Sequence, residues 1–253
     1  MDGTSSTAPS REVHDRSVAV VTGAASGIGR RTCELLLDER ATVVGVDVHA
    51  APAALTADPC FLELTADVAS GEAVRSASDH VHEALGRCDI LVNCAGVLVN
   101  GTATDTSEDD WDRVMAVNLR GAWLACKAFI PLITTSGGGA IVSVASGTGL
   151  RPIPALTAYS ASKAGLISLM RSIALDYAAV GIRSNCVCPG PTETPMLLED
   201  EANIRALEEH GGVWPVALAQ PDEIARAILL LCSPAMRTLT GVSLAVDSGR
   251  SLH

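Results

Sequence analysis

The sequence predicts a three-layer, doubly wound α/β fold, a seven-stranded parallel sheet with helices on both faces. Three observations lead there. Short runs of Val, Ile, Leu and Ala alternate with longer amphipathic stretches from residue 17 onward, the rhythm of repeated strand–helix–strand units. Apolar residues make up 48% of the 253-residue chain and aromatics only 3%, a composition suited to strands buried on both faces. The first apolar run leads through a glycine-rich turn into a helical pattern, the usual opening of such a sheet.

Taken in order, residues 1–16 are polar and rich in Ser and Thr and read as a loose tail. Residues 17–253 follow as a single domain, with no internal repeat or domain-scale linker. Ser17 to Val21 is the first strand. It runs into Thr22-Gly23-Ala24-Ala25-Ser26-Gly27-Ile28-Gly29, with a helix over Arg30 to Arg40 behind it. Glycines permit a tight turn and close backbone approach, and a helix start offers N–H groups and positive dipole, so the loop can cradle a pyrophosphate. An isolated loop of this kind reads equally well as a plain turn. The second strand, Ala41 to Asp47, ends in an acid 18 residues after Gly29. A carboxylate there accepts both hydroxyls of an adenosine ribose and repels a 2′-phosphate, which favours NAD over NADP. Arg30 and Arg31 oppose that reading. Asp47 ranks higher because a like charge against a phosphate costs more than a flexible surface cation gains.

The third strand, Phe61 to Val68, carries Asp67 near its end, suited to the adenine edge, and a helix over Ser70 to Gly86 follows. The fourth, Cys88 to Gly96, ends in Asn93-Cys94-Ala95-Gly96, small residues that let a ligand pass close by. Asn93 either faces that ligand or closes strand-end hydrogen bonds. Thr106 to Thr134 contains a long helix whose apolar positions, Trp111, Trp123 and Phe129 among them, exceed one core-facing stripe. The excess reads as a subunit contact or a wide core face. Asn118 lies inside this apolar stretch, as a backbone-satisfying amide or a site residue.

Ala140 to Ser146 is the fifth strand, and Gly147 to Pro154 reads as a loop by its Gly and Pro content. Ser146 therefore sits at a strand's C-terminal end, where open α/β sheets place ligands. Tyr159-Ser160-Ala161-Ser162-Lys163 opens a helix running to about Val180. Phenol and ammonium four residues apart share a helix face. A phenol of ordinary pKa, about 10, releases no proton near neutrality, but an adjacent cation lowers it and makes a general acid/base. Ile182 to Cys188 is the sixth strand, stopped by Pro189-Gly190-Pro191. Met196 to Gly212 is charged and helical in pattern, either a solvated helix or part of a substrate lid over about 194–213. Pro221 to Cys232 is the last helix, with Pro in its first turn, and Gly241 to Asp247 the seventh strand.

The net charge of −11 argues against nucleic acid or an anionic membrane surface as partner. The eight cysteines form no Cys-x-x-Cys pair, so neither a metal site nor a disulfide framework is expected and a cytoplasmic setting fits.

Thr22-Gly-Ala-Ala-Ser-Gly-Ile-Gly29, Asn93-Cys-Ala-Gly96, Asn118, Ser146, Tyr159-x-x-x-Lys163 and Pro189-Gly190 together resemble, in order and spacing, the short-chain dehydrogenase/reductase family. The resemblance covers about residues 17–249. It implies a Rossmann fold and catalysis by Asn118, Ser146, Tyr159 and Lys163. Tyr159 is then the acid/base; Lys163 lowers its pKa and holds the nicotinamide ribose. Ser146 bonds the substrate oxygen, and Asn118 holds a water linking Lys163 to solvent. Gly23, Ser26, Gly27, Ile28 and Gly29 are expected to hold the pyrophosphate and Asp47 to select NAD. Asp67 and Val68 flank adenine; Asn93, Ala95 and Gly96 line the channel. Pro189, Gly190, Thr192 and Thr194 meet the carboxamide end. The resemblance also implies a homotetramer, or a homodimer. Cys94, Asp247-Ser248-Gly249 and Pro215-Val-Ala-Leu218 depart from the family pattern, in positions read as touching packing or surface more than chemistry.

The expected activity is an NAD-dependent alcohol dehydrogenase or ketone reductase. The substrate pocket is expected from Val97 to Gly101, Gly147 to Leu156 and Met196 to Val213, suiting a cyclic or medium-sized secondary alcohol. Two alternatives stand beside it: an NADPH-dependent 3-oxoacyl-[acyl-carrier-protein] reductase, and a non-catalytic dinucleotide-binding scaffold. Asp47 and the lack of a basic residue at Ala178-Ala-Val-Gly181 oppose the first. The second has no use for a tuned phenol.

Overall fold

Seven apolar runs pair as one parallel sheet in the order β3-β2-β1-β4-β5-β6-β7. In this computed structural model, which describes residues 14–199, 201, 204 and 218–252, the strands are β1 Val18–Thr22, β2 Thr42–Asp47, β3 Phe61–Thr65, β4 Ile90–Asn93, β5 Gly139–Val144, β6 Ile182–Pro189 and β7 Ser243–Val246. The helices are α1 Gly27–Asp38, α2 Ala53–Thr56, α3 Gly71–Leu85, α4 Glu108–Met115, α5 Ala122–Thr135, α6 Gly147–Leu150, α7 Thr157–Asp176, α8 Pro195–Leu198 and α9 Pro221–Cys232.

Alternation along the strands makes the layers. Val20, Val44, Leu91 and Ile141 face one side, where Val81, Phe129, Ile133, Leu166 and Met170 of α3, α5 and α7 cover them. Ala19, Val21, Val43, Val92 and Val142 face the other, against Leu35 and Leu36 of α1 and Ile224 and Ile228 of α9. Buried on both faces, the strands have no polar alternation to display, which is why they read as plain apolar runs.

The order reverses between β1 and β4. After β1 the chain adds β2 and β3 on one side, then crosses to β4 and builds outward on the other. The last paired residues, Thr22 and Asn93, lie side by side at the strands' C-terminal ends. A crevice opens there, because the loops leave in opposite directions.

The structure redraws several boundaries. The polar tail was expected to reach residue 16, but His14 is only 3% exposed: its Nε2 lies 3.2 Å from the Leu229 carbonyl oxygen, and its own carbonyl accepts from the Ser17 hydroxyl at 2.6 Å. Residues 1–13 lie outside the described residues. Most of the lid segment, 200–213 apart from 201 and 204, and Pro215 to Val216-Ala217 lie outside them too. Gly147–Leu150 is a helical turn rather than a loop, because the Ser146 hydroxyl caps it by accepting from Thr148 N–H. The Tyr159 helix ends at Asp176 and passes through a 3₁₀ turn, Ala178–Val180, before left-handed Gly181.

The long helix is continuous from Glu108 to Thr135, but Ala116–Gly121 winds as a π-helix. Its length and hydropathy would suffice to cross a membrane, yet half of its most apolar window is buried within this fold. Trp111 and Trp123 are 40% and 42% exposed, and Lys127 sits over the Trp123 ring. These account for the excess of apolar positions over one core stripe.

Candidate active site

A cleft of about 1210 Å³ lies over the C-terminal ends of the strands. That exceeds what a drug-sized ligand needs and suits a dinucleotide with a second small molecule beside it. Its floor is the turn after β1. Gly23 has a left-handed φ of +70°, and a Cβ there would stand 2.7 Å from the Ala95 backbone nitrogen. Only glycine lets the two loops at the switch point touch. Ala95 N–H donates to Thr22 Oγ1 at 3.3 Å, and Cys94 N–H to the Thr22 carbonyl at 3.2 Å, tying β4's end to β1's. The loop feeds α1, whose first turn faces the cleft through Gly27, Ile28 and Gly29.

At one end Asp47, Asp67 and Val68 line the wall. The Asp47 carboxylate accepts from Ala25 N–H and His49 N–H, both at 3.0 Å. That fixes its orientation and still leaves lone pairs for a further donor. Arg30 and Arg31 are already committed. Arg30 pairs with Glu34 at 2.8 Å, and Arg31 bridges Glu34 at 2.9 Å and Asp222 of α9 at 2.7 Å.

At the other end stand Ser146, Tyr159 and Lys163, all lining the cleft and all buried. Thr157–Asp176 puts Tyr159 and Lys163 on one face, with the ammonium 5.6 Å from the ring centre. Burial pushes the Tyr159 phenol up to about 12, and the neighbouring Ser146 hydroxyl pulls the other way. Burial also pulls Lys163 down to about 8. Its Nζ donates to the Val144 carbonyl at 2.8 Å. The sequence argument had Lys163 lower the phenol's pKa. In this structure burial is the largest influence on the phenol, and the ammonium is bonded to a backbone carbonyl.

Pro189, Gly190, Thr192 and Thr194 also line the cleft, as do Ser26, Ala95 and Gly96. Two expected site residues stand behind the wall. Asn93 is buried and turned into the sheet, its Nδ2 donating to Ser143 Oγ at 3.0 Å. This is the strand-end role, and only its neighbours reach the channel. Asn118 lies in the π segment. Its Oδ1 accepts from Val97 N–H at 2.8 Å, and its Nδ2 donates to the Val97 carbonyl at 2.9 Å and to Ser162 Oγ at 3.1 Å. A Cβ on Gly96 would be 3.4 Å from Asn118 Oδ1 and 3.5 Å from Lys163 Nζ, so both side chains close around this glycine.

Sequence reasoning missed part of the lining. Asp247, Arg250 and Ser251 border the cleft, whereas the Asp247-Ser248-Gly249 departure had been read as packing or surface. Asp247 follows β7, at the end where parallel strands deliver their loops, and that position was the available signal. His49 and Arg113 carry no motif that would have found them. Cys94 is a small neutral neighbour, its thiol pushed up to about 12 by burial.

The residues fit a nicotinamide dinucleotide. A glycine cradle at a helix start, an oriented acid 18 residues on, and a buried hydroxyl–phenol–ammonium group share one cleft.

Comparison with known proteins agrees. The family model described as enoyl-(acyl carrier protein) reductase matches residues 23–251. A cis-4-hydroxycyclohexanecarboxylate dehydrogenase of Sinomonas cyclohexanicum is 38% identical over 245 residues, 94% of this chain and 98% of that protein. A 3-oxoacyl-[acyl-carrier-protein] reductase of Thermotoga maritima is 34% identical over 92% of this chain and 96% of its own length. A Burkholderia xenovorans structure described as a short-chain dehydrogenase/reductase superposes with a TM-score of 0.89 at 32% identity, covering 96% of this chain and 99% of that one. Sheet order, cleft and relatives together place the chain in the short-chain dehydrogenase/reductase family, enzymes acting on CH–OH groups with NAD+ or NADP+ as acceptor.

Proposed function

We propose that this enzyme is an NAD-preferring dehydrogenase of secondary alcohols, or the corresponding ketone reductase, with Tyr159 as general acid/base. The observation that carries the reading is the meeting of Ser146, Tyr159 and Lys163 in one buried corner of a cleft floored by a glycine loop. The nicotinamide supplies the hydride chemistry when bound. The chain's own residues handle the proton. Ser146 donates a hydrogen bond to the substrate oxygen and steadies charge on it. Tyr159 takes the alcohol's proton or returns one to a carbonyl. Lys163 holds the nicotinamide ribose and supplies positive charge beside the phenol. Asn118 has spent both N–H groups, so a water linked to Lys163 is left its main-chain carbonyl and one lone pair of Oδ1. Gly23, Ser26, Gly27, Ile28 and Gly29 take the pyrophosphate. Asp67 and Val68 flank the adenine, and Ala95, Gly96, Pro189, Gly190, Thr192 and Thr194 border the nicotinamide half.

The preference for NAD is supported by Asp47 being oriented by two backbone N–H groups while Arg30 and Arg31 are held in ion pairs. The test is a turnover screen of cyclic and medium-sized secondary alcohols with NAD+ and NADP+ in parallel. Higher kcat/KM with NAD+ is expected, and strong NADP+ preference would refute the reading. In the same assay Asp47→Asn is expected to lose about 10-fold or more in kcat/KM for NAD+, while NADP+ loses little.

An acyl-carrier-linked reductase is the second reading, favoured by the Thermotoga relative and opposed by Asp47. The proposal extends to a cytoplasmic homotetramer in which the half-exposed Trp111 and Trp123 are covered. Sedimentation velocity should then give four copies, and a monomer at micromolar concentration would contradict it.

A further inference from the structure

We propose that Thr148 is a positioning residue: its hydroxyl and its own N–H occupy both acceptor sites of Ser146, so the Ser146 O–H is left to donate toward the oxygens at Tyr159. This deepens the function proposed above and rests on it. Ser146 Oγ accepts from Thr148 N–H at 3.2 Å and from Thr148 Oγ1 at 3.0 Å. A hydroxyl has two lone pairs and one proton. With both lone pairs taken, Ser146 has one role left. That proton serves the phenol in the free enzyme, in keeping with the downward pull of Ser146 on Tyr159. It serves the substrate oxygen once that atom lies between them. Without the threonine hydroxyl, Ser146 can rotate and accept from the substrate alcohol instead, the wrong polarity for steadying an alkoxide.

The turn is held so that this arrangement does not drift. A Cβ on Gly149 would stand 2.8 Å from the Lys163 carbonyl carbon, and one on Gly147 3.3 Å from the Pro189 oxygen. α6 is therefore wedged between α7 and the end of β6, with Thr148 between the two glycines. Donors then run in one direction, Thr148 to Ser146 to Tyr159, and each bond in such a chain polarises the next. Among the described residues, Tyr159 and Lys163 on α7, Cys188 on β6, Asp247 after β7, Arg250 on the 3₁₀ turn Arg250–Leu252 and Arg151 at the end of α6 are the titratable and charged groups around this turn. None of them is replaced by a change at Thr148.

The experiment compares Thr148→Val, Thr148→Ala and Thr148→Ser with the unmodified enzyme, reading kcat, KM and the pH profile of alcohol oxidation, with NAD+ binding as the check on folding. Valine keeps the shape and removes the hydroxyl; serine keeps the hydroxyl. Thr148→Val is expected to lose roughly tenfold in kcat, with the rise of kcat moved to higher pH and KM changed less. Thr148→Ser should restore both to within about threefold. Should valine not fold, alanine reads the same loss. A normal kcat and profile in the valine or alanine variant would overturn the proposal, as would a serine variant equally impaired. Tyr159→Phe in the same series separates the layers. If it remains active, the proposed function fails; if it is inactive while Thr148→Val is normal, only this inference fails.

Discussion

Tyr159→Phe is expected to lower kcat by about a thousandfold while the affinity for NAD+ changes by less than about threefold. Phenylalanine keeps the ring, and the ring is what packs: Tyr159 is 9% exposed at the start of α7. Only the oxygen goes, and Ser146 is the neighbour that draws its pKa down. Binding should survive because the proposed pyrophosphate and adenosine-ribose contacts, at Gly23 and Asp47, do not involve the phenol oxygen. The remaining rate should also lose its pH dependence. In the unmodified enzyme burial holds the phenol near about 12, so alcohol oxidation depends on whatever stabilises the phenolate and should quicken as pH rises. A substituted enzyme that kept the same slope would assign the proton to another group.

Lys163→Met is expected to abolish turnover to a similar degree and, unlike most core substitutions, to raise stability at neutral pH. Lys163 is 4% exposed, and burial brings its pKa from 10.5 down to about 8. Below about pH 8 the native state carries a buried charge that the unfolded chain keeps in water. Between about 8 and 10.5 the unfolded state binds more protons than the native one, so stability rises with pH across that window, and above it the cost is gone. Methionine has similar length and no charge. Its gain is offset in part by the Val144 carbonyl, which loses its donor. A net stabilisation of about 1–2 kcal/mol at pH 7, lost and turned to a small net destabilisation above pH 10.5, is expected from urea melts at several pH values. On the proposed function, such a charge is kept at a cost to the fold because the chemistry uses it. A variant less stable at pH 7 would mean that the ammonium is well solvated or paired.

What was legible in the sequence follows the same physics. Strands buried on both faces advertise themselves as apolar runs, so all seven were found, with ends off by up to three residues at β3 and β4, where polar and small residues continue past the last ladder bond. Tyr159 and Lys163 were legible because helical spacing alone puts them on one face. Asn93 stayed open between two roles because an amide at a strand's last position has two sides to face, and the pairing with Ser143 turns its side chain into the sheet. The π turn at Asn118 was invisible, since one shifted hydrogen-bond register leaves no mark in composition. The turn after Ser146 was hidden by its own glycines, which read as loop until Ser146 is seen to cap it. Asp247, Arg250 and Ser251 reach the cleft only through the last crossover, a contact between distant parts of the chain.

The phenol can be watched directly. The chain has two tyrosines, and Tyr177 sits at the far end of α7. In a Tyr177→Phe background the ultraviolet absorbance of tyrosinate reports Tyr159 alone. Titration should place it near 12 in the free enzyme and, with NAD+ bound and Lys163 drawn toward the ribose, lower by about one unit or more. An ordinary value of about 10, unmoved by NAD+, would show a solvated phenol with no part in proton transfer.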